Sequence, residues 1–322
     1  MRAAVTVRGE TCQSLGMSIG LILLACTPAA IRAALADPPS LTSAPASGSA
    51  KTDHLPQITI EASRLALEQR VQAFVDELSH SRRFPDRTQP APRWEEPLCF
   101  EVAGLPRKYA EVVAAQLSQI ATSVGAPVRK ECSRLSANFY ALFTPDPAET
   151  LRYLKRHPLV LQDRVETGLP QIERFLNPPK SVVVRVWHDA EVLARNGTPC
   201  VLAPNGLWLV CGDSLGGSRI TLTSTPSFDR ALVVIDSTRI QGFQLGQISA
   251  YVAMVGLVDI DGDVNVGDTP SILRLFTDSP EQRAEGITEW DRAFLTALYH
   301  TNQWNAQQRQ QIANKMVDEI AH

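Results

Sequence analysis

Ser214 stands in Gly212-Asp213-Ser214-Leu215, directly after a run, Leu207 to Cys211, that reads as a strand. A tight turn there would expose a hydroxyl for attack on an acyl carbon and leave neighbouring N–H groups to hold the oxyanion. The competing reading of the same residues is a Gly/Ser-rich loop between two strands. Asp259, Asp261, Asp263 and Asp268 offer oxygen ligands of the kind calcium takes, but the spacing is short. The twelfth position from Asp259 is Pro270, where a bidentate Glu is needed. The alternative is a polar connector that ends in a helix cap at Asp268 or Thr269, with Pro270 as the first helical residue. His188-Asp189-Ala190-Glu191 could supply one metal ligand. The six histidines, at 54, 80, 157, 188, 300 and 322, contain no His-x-x-x-His pair. Neither a metal nor a cofactor is therefore expected, and Ser214 and the four aspartates stand as runner-up sites.

Cysteine usage points to a compartment. Cys12 and Cys26 fall in the N-terminal segment, leaving Cys99, Cys132, Cys200 and Cys211 as two disulfides in an oxidising environment. Four cysteines allow three connectivities; locality favours 99 with 132 and 200 with 211. No Cys-x-x-Cys occurs, so neither a thioredoxin-like centre nor a zinc ribbon is supported.

The N-terminus carries Arg2 and Arg8, an apolar stretch from Met17 to Ala25, and Ala34-Leu35-Ala36 before Asp37, the small-x-small pattern of a signal-peptidase site. Residues 1–36 are read as a signal peptide. The apolar stretch is far short of the roughly 20 residues of a spanning helix, so no transmembrane anchor is expected. Leu23-Leu24-Ala25-Cys26 resembles the lipobox of bacterial lipoproteins, which makes a lipid anchor at Cys26 the alternative to a periplasmic or secreted protein. Residues 37–57, continuing a Pro/Ala/Ser-rich composition, are read as a disordered linker. Removal of Arg2, Arg8, Arg32 and Glu10 leaves 28 basic against 33 acidic residues. That balance provides no footprint for nucleic acid, and no basic amphipathic helix suggests a membrane surface.

The elements that must position any site fall into two stretches. Over residues 58–160, Ile58 to Glu61 reads as a short strand and Ser63 to Ser79 as a helix with Leu67, Val71, Phe74, Val75 and Leu78 on one face. A Pro-rich loop precedes a strand at Leu98 to Val102. Pro106 then opens a helix that Gly125 and Pro127 stop, and Asn138 to Phe143 is a second strand. Asp146-Pro147-Ala148-Glu149 carries a cap, a first-position Pro and a Glu three residues after the cap, and its helix must end near His157-Pro158. Together these suggest an N-terminal α/β unit.

Over residues 181–322, strands are expected at Val182 to Trp187, Leu207 to Cys211, Arg219 to Thr223 and Ala231 to Asp236. Hairpin signals stand at Asn196-Gly197 and Asn205-Gly206, so this reads as a small, mostly antiparallel meander. A two-residue turn at Asn205-Gly206 would place Cys200 opposite Cys211, whereas Pro204 favours a three-residue loop that slips the pair by one. Gln247 to Leu257 has no charge on any face, the mark of a buried helix. Thr288 to Asp291 is a capping signature, and the last helix carries Ile312, Met316 and Ile320. The expected class is α+β, with an N-terminal α/β unit followed by this sheet and C-terminal helices.

Gly-Asp-Ser-Leu resembles the esterases and lipases named for that tetrapeptide, but their Gly-x-Asn-Asp block and late Asp-x-x-His are absent from the sequence. Gly-Asp-Ser also resembles the trypsin-like protease motif, with Leu215 intruding before Gly216-Gly217. A further resemblance covers residues 181–322 and rests on Ala231–Asp236, Gly246–Leu257, Pro270–Phe276 and Trp290–Tyr299. These resemble an uncharacterised group of exported bacterial proteins that look like degenerate zincin metallopeptidases. A working zincin helix needs His-Glu-x-x-His-x-x-Gly. Counting back from Gly256, those ligand and base positions hold Ser249, Ala250 and Ala253, none of which can bind zinc or act as a base. The resemblance thus implies a fold that kept its packing and lost its chemistry. Taken together, the expectation is a non-catalytic envelope protein that binds a protein partner or ligand, with a serine hydrolase at Ser214 and a calcium-binding protein as alternatives.

Overall fold

The computed structural model describes residues 55–79, 89–157, 169–177, 182–202, 209–211, 221–260 and 264–321. Residues 1–36, read above as a signal peptide, and most of residues 37–57, read as a linker, lie outside these, as do Ser214, Asp261 and Asp263. In chain order the elements are α1 (Leu55–Leu78), β1 (Arg93–Trp94), β2 (Phe100–Ala103), α2 (Arg107–Ser123), β3 (Phe139–Thr144), α3 (Pro147–Arg156) and α4 (Leu169–Leu176). They continue with β4 (Val184–Ala194), β5 (Val201–Leu202), β6 (Leu209–Val210), β7 (Ser224–Asp236), α5 (Leu245–Leu257), α6 (Glu289–His300) and α7 (Gln308–Ile320).

The long strand β7 organises the molecule. Its C-terminal half pairs in parallel with β3, from Ala231↔Phe139 to Asp236↔Thr144, and β3 pairs in parallel with β2. Its N-terminal half pairs in parallel with β1, Trp94 opposite Phe228. Its other edge runs antiparallel to the whole of β4. The register with β4 slips between Asp189 and Ala190, where Asp229 and Arg230 together oppose Asp189. This bulge keeps Phe228 and Ala231 on one face, and it falls where the far edge of β7 changes partner from β1 to β3.

The fold is therefore mixed α and β, consistent with the expected α+β class; the strands of residues 181–322 pair antiparallel, β4 with β7 and β5 with β6, but β7 also pairs in parallel with β1 and β3 of the earlier stretch, so they do not form a separate meander. The apolar run Ala231-Leu232-Val233-Val234-Ile235 is buried on both faces, as a central strand between helices must be. Strands from both stretches of sequence, 58–160 and 181–322, enter this one sheet, within a compact unit of Asp53–His322. Ile58 to Glu61 is helical, not a strand: α1 runs back to Leu55. Of the strand expected at Arg219 to Thr223, the described residues hold only an isolated bridge from Thr221 to Asn305.

Alternation along the strands sends Phe139, Ala141, Phe143, Ala231, Val233 and Ile235 to one face, where they join the main core with α1, α2, α5 and α6. Phe74 of α1 meets Trp290 and Phe294 of α6 edge-on, at centroid distances of 5.6 and 6.0 Å. Helix α5 crosses the sheet closely, and Gly256 is the point of contact. A Cβ there would overlap ring atoms of Phe139, and its carbonyl accepts a hydrogen bond from the Trp94 indole N–H at 2.9 Å. Gly104, after β2, has φ +85°, and a Cβ on it would overlap the carbonyl oxygen of Phe143.

The opposite face carries a second, smaller core in which Leu151 and Leu154 of α3 and Phe175 of α4 cover Trp187, Leu232 and Val234. Helix α3 forms for the reasons read from its sequence. Asp146 Oδ1 accepts from the Glu149 N–H at 2.9 Å, Pro147 occupies the first turn, and Lys155 and Arg156 sit in the last.

Two cysteine pairs stand at disulfide distance, Cys99 with Cys132 and Cys200 with Cys211. The β5–β6 register, Val201↔Val210 and Leu202↔Leu209, puts Cys200 opposite Cys211; the turn expected at Asn205-Gly206 lies outside the described residues. Among the described residues no helix is long and apolar enough to cross a membrane.

A groove on the sheet as candidate functional site

A side chain at every second position of a strand faces one way, so register decides which residues meet. Glu101, Tyr140, Leu232 and Trp187 lie side by side across β2, β3, β7 and β4 in matched register. They form a row across the face that α3 covers, at about 4.8 Å from strand to strand. Ala103 and Leu142 continue this surface one step along, and Arg230 stands two residues before Leu232 on the same face. Thr150, Tyr153 and Leu154 of α3 make the wall. Between floor and wall is a cavity of about 440 Å³, within the size range of small-molecule sites.

Its polar groups are few. Tyr140 donates its hydroxyl to the Ala137 carbonyl at 2.6 Å, which fixes the ring. Glu101 faces Arg134 at 3.4 Å, so its charge is partly answered. The Tyr153 ring, half exposed, stacks on His157 at 4.1 Å. Trp187 is 2% exposed, and its buried Nε1 has no hydrogen-bond partner among the described residues. Arg230 makes no ion pair or side-chain hydrogen bond among the described residues. Asp189, opposite it in register, is buried and otherwise engaged. One step beyond Trp187 on the same face, Arg185 leaves Nε and Nη1 unpartnered; burial lowers its pKa, with the Asp236 carboxylate pulling it back.

The residues singled out by sequence are distributed elsewhere. His188, one residue from Trp187, faces the main core, stacked on Phe228 at 4.4 Å. Its Nε2 lies 3.2 Å from the Gly256 carbonyl, and its Nδ1 lies 3.9 Å from Asp259 Oδ1. Asp189 and Glu191 are buried. Asp268 is fully exposed, 4.0 Å from Arg274. Asp259 and Asp268 thus have different neighbours, and among the described residues no group of three or more His, Cys, Asp or Glu could hold a metal ion. Ser249, Ala250 and Ala253 are buried within α5. His300 Nδ1 lies 2.8 Å from the Thr296 carbonyl in its own helix.

Sequence reading missed the groove because it is made by register between strands far apart in the chain. A signal was present in Tyr140, Trp187 and Leu232, apolar side chains on the second faces of strands whose first faces already fill the core. Comparison of the chain with protein-family models, with curated proteins and with solved structures finds no match. The geometry of the molecule is thus what bears on function.

Proposed function

We propose that the chain is an exported protein of the bacterial cell envelope that binds a small ligand in the groove between α3 and the sheet and catalyses no reaction. It is periplasmic or secreted, with lipid attachment at Cys26 as the alternative. The observation that carries this reading is the cavity of about 440 Å³, aromatic and aliphatic in its floor, with few polar groups. Such a site binds by burying apolar surface and uses its few polar atoms to orient the ligand. Two cysteine pairs at disulfide distance fit an oxidising compartment. The degenerate zincin-like relationship belongs to the same proposal: α5, with Ser249, Ala250 and Ala253 buried, acts as a packing helix.

The test is equilibrium dialysis of the protein, recovered from the envelope fraction of expressing cells, against a small-molecule extract of that envelope, read by mass spectrometry. Wild type should retain at least one compound that Leu142→Trp, which fills the groove, does not. Equal retention by both, or by neither, would contradict the reading, as would finding the protein only in the cytosol.

A further inference from the structure

The floor and wall of the groove present three aromatic rings, Tyr140, Tyr153 and Trp187. Aromatic side chains on floor and wall favour an aromatic body, held by stacked or edge contacts. The polar atoms without partners at this site are all donors. The Trp187 indole can only donate, its Nε1 is buried, and nothing accepts from it among the described residues. Arg230 lines the groove with a guanidinium that makes no ion pair among the described residues. Trp187 is opposite Leu232 and Arg230 is two residues along on the same face, a diagonal separation of about 7–8 Å between Cα atoms. The acidic residue at the other end, Glu101, already faces Arg134.

We infer that the groove takes a small aryl carboxylate, the ring lying against Tyr140 and Tyr153 and the carboxylate accepting hydrogen bonds from Arg230. This deepens the ligand-binding reading above and rests on it. Arginine suits the task because its fork matches two carboxylate oxygens.

Calorimetric titration of the protein, purified as the cell processes it, with 2-naphthoate, 2-naphthamide and 2-naphthylmethylammonium separates charge from shape. The naphthoate should bind, with the amide and the ammonium each weaker by about tenfold or more, the span of a charge-assisted hydrogen bond. Arg230→Gln should weaken naphthoate by a similar factor and leave the amide unchanged, and Arg230→Lys should recover part of the loss. Each variant is accepted only if its circular dichroism and melting transition match wild type. Equal binding of all three probes, or a naphthoate affinity unchanged in Arg230→Gln, would overturn the carboxylate assignment while leaving groove binding intact. Absence of naphthoate binding to folded wild type would overturn the assignment too, and the dialysis experiment would still decide the broader reading.

Discussion

Asp291 holds two segments of the chain together through one side chain. Fully buried, it caps its own helix with Thr288 and also accepts from the Ser271 hydroxyl at 2.6 Å and the Ile272 N–H at 2.8 Å. It therefore ties the start of α6 to the 3-10 turn at Ile272–Arg274. Removing it strands several buried donors, so Asp291→Ala should lower the unfolding free energy by about 3 kcal/mol, read as a fall in urea midpoint at unchanged slope. Burial pushes its pKa above the ordinary carboxylate value, while the bonds from Ser271, Ile272 and Thr288 pull it back in part. A carboxyl raised in the folded state binds more protons there than in the unfolded chain. Its contribution is thus fully present below the unfolded value and is lost as pH rises through the folded one. The stability difference between wild type and Asp291→Asn should shrink from about pH 4 upward; a difference that grows with pH would contradict this. The capping role of Thr288 and Asp291 was legible as a sequence signature, whereas the bonds to Ser271 and Ile272 come from a segment some twenty residues away and leave no local trace.

Among the elements, those governed by local rules were the readable ones. Helix α5 announces its burial by having no charged residue, and ten of its residues are buried. Helix α3 follows from Asp146 and Pro147. At Ile58 to Glu61 the β-branched residues Ile58, Thr59 and Ile60 suggested a strand, but the helical pattern that follows extends back through them and local propensity yields. Strand β7 passes through Pro226. Pro226 is paired to Val192 of β4, just before the β1 pairing begins at Ser227, where one edge of β7 has no ladder to interrupt. The contact of α5 with the sheet gives a prediction at this scale. Gly256→Ala gains about 1 kcal/mol of helix propensity, yet its Cβ collides with the ring of fully buried Phe139. Overpacking of this kind costs about 1–3 kcal/mol. A net loss of stability is expected by thermal or urea unfolding; a stabilised variant would show that the helix stands off the sheet.

Over the whole molecule, the sheet is where sequence reading ran out. The apolar run of β7 was visible, but its pairing with β3, some ninety residues earlier, is a long-range choice that periodicity does not encode. The groove inherits that difficulty, because Glu101, Tyr140, Leu232 and Trp187 become neighbours only through this pairing. The cysteine pairs were accessible from proximity in sequence, 33 and 11 residues apart. At this scale a binding protein and a serine hydrolase differ in one chemical property, the reactivity of Ser214. The folded, processed protein should be exposed to a fluorophosphonate probe beside Ser214→Ala. No labelling of wild type is the expected result, whereas labelling that disappears in Ser214→Ala would establish a nucleophilic serine and contradict a non-catalytic function.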